Sequence, residues 1–166
     1  MKIYLIGMPG SGKSTLGKQL AHELMLLFVD LDQEIEHHEG KTVSEIFREK
    51  GEDYFRMVES QLLMEWAGSD RSFVMATGGG APCFFGGMET INQSGLSIFL
   101  DVSVDDIVKR LEKKSDRPLL ETKSESEKRE QLTLIREKRL SVYKTARITL
   151  QHPTLGKLLD AVHFKK

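Results

Sequence analysis

Gly7-Met8-Pro9-Gly10-Ser11-Gly12-Lys13-Ser14 decides how the rest of the chain is read. It is a complete G-x-x-x-x-G-K-[ST] pattern, and it stands between two segments of the right kind. Before it, Ile3, Tyr4, Leu5 and Ile6 form a short apolar, partly β-branched run, the pattern of a buried strand. After it, Leu16, Leu20, Leu24 and the small Ala21 fall on one face at helical spacing, so a helix is expected from Lys13. Strand, glycine loop and helix in that order make a phosphate cradle. Glycine permits positive φ and close backbone approach. Successive N–H groups then converge at a helix N-terminus that carries partial positive charge. Gly10, Ser11, Gly12, Lys13, Ser14 and Thr15 would surround a polyphosphate, with Lys13 reaching the β- and γ-phosphates and Ser14 ligating Mg²⁺. A glycine turn without a ligand would not need Lys and Ser in register.

Outward from the loop, strands and helices alternate. Phe28 to Asp32 is expected as a second strand running into a helix start, with Asp30 and Asp32 on one face of the extended chain. Helix capping explains one of these aspartates. Two like charges held together need a cation or donor to answer them, so a metal or substrate site and a cap both remain open. Val43, Ile46 and Phe47 mark a short helix ended by Gly51, and Phe55, Val58, Leu62 and Trp66 the stripe of a longer one, with Arg56 at its edge. Phe73 to Ala76 is a third strand, ending in Thr77-Gly78-Gly79-Gly80. Three glycines in a row are costly unless the backbone bends sharply or approaches a ligand. Ala81 to Phe85 has too little periodicity to assign, and Cys83, with no basic neighbour in sequence, is expected to be a structural thiol.

Leu96 to Leu100 is a fourth strand, and Ser103 is placed to cap the next helix. From Glu112 to Gln131, twelve of twenty side chains are charged, so the first half of that stretch should form a mobile lid, about residues 112–124. A helix is expected from about Ser124 to Tyr143. Its apolar stripe is Leu132, Ile135, Val142 and Tyr143, and Arg139 lies on that stripe and so needs a partner. Arg147 to Leu150 is a fifth strand, and Pro153 is expected to open the last helix. The alternation implies one α/β domain over 1–166, a five-stranded parallel sheet flanked by helices. Ligands gather at the carboxyl ends of such strands. The phosphate loop, the aspartate pair and the triple glycine all follow strands.

Composition excludes other classes. With 24 Lys+Arg against 25 Asp+Glu, the net charge of −1 gives no bulk attraction to nucleic acid or membrane. The longest apolar run, Leu24 to Val29, is too short for a bilayer, and Gly7 interrupts the N-terminal run too early for a signal peptide. A lone cysteine suits the cytoplasm. A single domain working as a monomer on small molecules is expected. Neither N-K-x-D nor D-x-x-G is present, which argues against a GTPase switch.

These residues together resemble the shikimate kinase family over nearly the whole chain. The matching pieces are GMPGSGKST, VDLDQEIE, EIFREKGEDYFRMVE, TGGG, DRPLL and REKRLSVY. The resemblance implies a P-loop kinase fold with a mobile lid and a substrate-binding region at about 31–62. It implies transfer of the γ-phosphoryl of ATP to the 3-hydroxyl of shikimate, a step towards chorismate and the aromatic amino acids. By the same resemblance, Lys13 holds phosphate, while Ser14 and Asp30 hold Mg²⁺. Asp32 binds shikimate hydroxyls and acts as base. Arg56 and Arg139 grip the substrate carboxylate, and Gly78, Gly79 and Gly80 meet the substrate. Arg117 closes from the lid onto the phosphates, and Arg110 lies beside adenine. Gln151-His152-Pro153 departs from the polar and basic residues the family often carries there, and leaves the adenine contact unplaced. The alternatives are a P-loop kinase for gluconate, a nucleoside monophosphate or another small metabolite.

Overall fold

A computed structural model describes residues 1–114 and 124–164. Five strands form one parallel sheet: β1 (Lys2–Ile6), β2 (Leu27–Asp30), β3 (Phe73–Ala76), β4 (Leu96–Asp101) and β5 (Ile148–Gln151), in the order β2-β3-β1-β4-β5. Seven helices accompany them among the described residues: α1 (Lys13–Glu23), α2 (Leu31–Glu39), α3 (Val43–Gly68), α4 (Gly87–Ser94), α5 (Val104–Lys114), α6 (Glu125–Tyr143) and α7 (Leu155–His163). None of them is long and apolar enough to cross a membrane.

Strand alternation divides the core into two halves. On β1, Ile3 and Leu5 face α1 and α7, packing with Leu20, Ala21, Leu158 and Val162. Tyr4 and Ile6 face the other way, towards Leu31 and Ile35 of α2, Phe55 and Val58 of α3, Ile91 of α4 and Tyr143 of α6. Each such side chain contributes roughly 1.5–3 kcal/mol by leaving water. β1 is also where the strand order switches direction, with β2 and β3 on one side and β4 and β5 on the other. A crevice opens at the carboxyl ends of strands at such a point, and the glycine loop leads straight into it.

Several sequence expectations need correction. β2 stops at Asp30 and Leu31 is already helical, so Asp30 and Asp32 do not alternate along one strand. The expected break at Gly51 is present as a kink within α3, at φ 81° and ψ 174°. Of the three apolar residues that mark the start of this helix, Ile46 is buried, whereas Phe47 is 36% exposed and lies against Phe55. A one-turn 3₁₀ helix over Ala81–Cys83 and the whole of α4 were not anticipated. α7 is capped by Thr154, whose hydroxyl accepts from the Lys157 N–H at 3.3 Å, so Pro153 precedes the helix instead of opening it. Of the stretch expected as a lid, 112–124, residues 112–114 belong to the end of α5, and Ser124 caps α6 in a capping box with Glu127. Residues 115–123, including Arg117 and the rest of DRPLL, lie outside the described residues.

Candidate active site

The glycine loop forms the cradle its sequence implied. Gly10 and Gly12 take φ of 79° and 95°, a left-handed conformation that most L-residues avoid, and Gly12 leads directly into α1. Lys13 is folded back on the loop, its Nζ donating to the carbonyls of Gly7 and Met8 at 2.8 Å each. Burial pushes its ammonium down to about 8, against the pull of Asp32 and Asp30. The loop therefore holds a desolvated cation whose charge a phosphate would stabilise. The Ser11 Oγ is buried without a partner among the described residues, while its carbonyl accepts from Arg110 Nη1 at 3.0 Å.

The aspartate pair serves two purposes. Asp30 Oδ1 accepts from the N–H groups of Asp32 and Gln33, at 3.1 and 3.5 Å, and so caps α2. Asp30 Oδ2 accepts from Ser14 Oγ at 2.7 Å. Capping occupies one oxygen of this carboxylate and leaves the other on the Ser14 hydroxyl, so the cap does not exclude a site. Asp32 stands in the first turn of α2, solvent-accessible at its surface but set into the cleft. Crowding by protein and then the neighbouring Asp30 raise its carboxyl above the usual range, with Lys13 opposing. A cleft of about 290 Å³ brings Lys13, Ser14, Asp30, Asp32, Thr77 and Gly79 together at the strand ends. A second, of about 420 Å³, opens on the far side of Gly10, Gly12 and Thr15 and is bounded by Leu16, Arg110, Leu111 and Pro153.

The triple glycine proves to be about close approach. Positive φ is not used at Gly78, Gly79 or Gly80. Instead, charged side chains lie flush on their backbone. A Cβ at Gly78 would stand 2.5 Å from Glu59 Oε2 and 3.0 Å from Asp32 Oδ1. One at Gly79 would meet Arg139 Nη1 and Pro9 Cδ, both at 3.0 Å, and one at Gly80 would overlap the Arg56 guanidinium.

Arg56 is buried, not solvated. Its Nη1 donates to Glu59 Oε1 at 2.7 Å, its Nε and Nη2 reach Glu52 Oε1 at 3.4 Å, and its guanidinium carbon lies 4.5 Å from the Phe84 ring centroid and 5.1 Å from that of Phe55. Burial raises the Glu59 carboxyl and Arg56 opposes the rise. Glu59 was not expected in the site, although its spacing carries a signal: Phe55, Glu59 and Leu62, with the half-buried Trp66, share the inward stripe of α3. Cys83 does have basic neighbours in space, Arg139 and Arg56, but burial outweighs them and pushes the thiol up, as suits a structural cysteine. Arg139 is half-buried beside Gly79, and Tyr143, one turn on, donates from its hydroxyl to the Gly79 carbonyl at 2.6 Å.

This arrangement can be set beside known proteins. The family model described as shikimate kinase matches residues 9–157. The chain belongs to the shikimate kinase family. A shikimate kinase of Parabacteroides distasonis is 45% identical over 149 residues, covering 89% of this chain and 86% of that protein. The crystal structure of shikimate kinase from Bacteroides thetaiotaomicron superposes with a TM-score of 0.89 at 36% identity, covering 98% of both chains. That of Acinetobacter baumannii shikimate kinase in complex with shikimate gives 0.87 at 31% identity, over 99% of this chain and 94% of that one. Family membership makes this chain an ATP-dependent small-molecule kinase.

Proposed function

We propose that this chain transfers the γ-phosphoryl of ATP to the 3-hydroxyl of shikimate, giving shikimate 3-phosphate and ADP, in the route to chorismate and the aromatic amino acids. The observation that carries this reading is the meeting of Lys13, Asp32 and the Arg139-covered Gly79 around one cleft. A polyphosphate site and a carboxylate site then share a wall. Arg56 and Arg139 grip the substrate carboxylate, and a planar guanidinium fork suits that task. Asp32 accepts the proton of the 3-hydroxyl as the new O–P bond forms and the bond to the β-phosphate oxygen breaks. Its raised carboxyl makes it a better base than an ordinary aspartate. Lys13 meets the charge on the transferred group, a task that Arg117, outside the described residues, would share. The nucleotide base would occupy the second cleft, between Arg110, Leu111 and Pro153, the proline being the one of Gln151, His152 and Pro153 that lines it.

The residues fit Mg²⁺. Ser14 Oγ and Asp30 Oδ2 set two hard oxygens side by side, and the described residues hold no cluster of three or more His, Cys, Asp or Glu side chains suited to a metal. That is the donor set of an ion held mainly by phosphates and water. When bound, Mg²⁺ would neutralise phosphate charge.

The test is an acceptor panel. ADP release from ATP and Mg²⁺ is followed with shikimate, gluconate and a nucleoside monophosphate. Shikimate should stimulate release far above the other two. Preference for either of the others would overturn the assignment.

A further inference from the structure

We infer that Tyr143 is a positioning residue for the acceptor site, its hydroxyl locking the Gly79–Gly80 peptide beneath Arg139. The inference rests on the proposed reading of Arg139 as a carboxylate-binding residue. A run of three glycines has no side chains to limit its φ and ψ, so its conformation must be held from outside. Two bonds come from within the turn: Ala81 N–H to the Gly78 carbonyl at 3.1 Å and Cys83 N–H to the Gly80 carbonyl at 2.8 Å. The Gly79 carbonyl between them is taken by Tyr143 Oη at 2.6 Å. Because the peptide is planar, fixing that carbonyl also fixes the N–H of Gly80.

The anchor itself is rigid. Tyr143 is fully buried, and its ring centroid lies 5.2 Å from that of Phe99 on β4. Burial pushes its phenol up to about 12, so the hydroxyl remains a donor throughout the working pH range. Arg139 lies four residues earlier on α6, hence on the same face. Its Nη1 would be 3.0 Å from a Cβ on Gly79. One helix thus delivers both the hydroxyl that holds the peptide and the guanidinium that lies over it. That hydrogen bond ties α6 to the glycine turn across 64 residues of sequence, and the Tyr143 hydroxyl also meets the Arg139 side chain. Pro9 Cδ lies equally close to that Cβ position, at 3.0 Å, so the glycine turn also abuts the phosphate loop.

The plain alternative is that Tyr143 is only a core aromatic. Tyr143→Phe separates the two, since it keeps the ring and removes the hydroxyl. In the full-length chain the variant should raise the KM for shikimate and its Kd roughly three- to tenfold, the value of one net hydrogen bond. The kcat, the KM for ATP and the Kd for ADP should stay within about twofold. A cycle with Arg139→Lys adds a second readout. If Tyr143 acts by placing Arg139, the double variant should lose less shikimate affinity than the product of the two single losses. Unchanged shikimate affinity, or equal loss for both substrates, or strictly multiplicative losses, would overturn the inference. A wild-type chain that does not bind shikimate would instead overturn the proposed function.

Discussion

Glu59 Oε1 accepts from Arg56 Nη1 at 2.7 Å, and both side chains are buried. A buried cation of this kind is stable only while its partner remains. Glu59→Ala should therefore cost about 3–5 kcal/mol of stability. Glu59→Gln, which keeps the volume, should fold better yet raise the KM for shikimate. Thermal melts and steady-state kinetics of the pair check this.

Arg56→Lys and Arg139→Lys keep the charge but lose the planar fork. Each should raise the KM for shikimate far more than that for ATP. Equal effects on both substrates would contradict carboxylate recognition.

Gly80→Ala would drive a methyl group into the Arg56 guanidinium, and Gly78→Ala would put one 2.5 Å from Glu59 Oε2. Both variants should lose shikimate binding while ADP binding persists, because neither glycine borders the nucleotide clefts. Calorimetric titration with each ligand reads the two affinities separately.

Asp30→Asn and Asp32→Asn should fail differently. Asparagine caps a helix about as well as aspartate, so Asp30→Asn should hold its Tm while needing more Mg²⁺ for half-maximal rate. Asp30→Ala should lose about 1 kcal/mol as well, through the missing cap. Asp32→Asn should cut kcat with little change in Tm. Kinetics left intact in all three would mean that capping is the pair's only task.

Lys13 makes a prediction with a sign. Its pKa in the fold, about 8, is below the ordinary 10.5 of an unfolded chain. Between those values the unfolded state binds the proton more tightly, so stability gains from this group as pH rises through that window. Below pH 8 the ammonium costs the ligand-free fold about 3 kcal/mol at most. Lys13→Met should thus melt no lower than wild type at pH 7 and lose phosphoryl transfer. Its Tm advantage should shrink between pH 8 and 10. Near-normal turnover would remove the cradle from the mechanism.

Much of the architecture is legible in the sequence for a plain reason. Strands of a parallel sheet are buried on both faces, so Ile3–Ile6 and Phe73–Ala76 are continuous apolar runs and Leu96–Leu100 is broken only by the buried Ser97. The loop between the first strand and α1 carries its chemistry locally. What escaped depends on burial and packing. The buried ion pair of Arg56 is not legible because its counter-charge Glu59, three residues on, looks like one more polar residue of an amphipathic helix. Alternation of Asp30 and Asp32 failed because the strand ends at the cap itself. The triple glycine was recognised as costly, but its cause comes from α2, α3 and α6, whose charged side chains press on it. α4 is eight residues long and starts at a Gly86-Gly87 pair, too short and too interrupted for periodicity to reveal.

One measurement tests the central claim most directly. Wild-type chain is incubated with ATP and Mg²⁺, with and without shikimate, and the products are followed by ³¹P NMR. The expected result is slow hydrolysis alone without shikimate and, with it, stoichiometric ADP and a phosphomonoester whose phosphorus couples to the proton on carbon 3. ADP release that shikimate does not stimulate, or phosphate appearing on another hydroxyl, would contradict it.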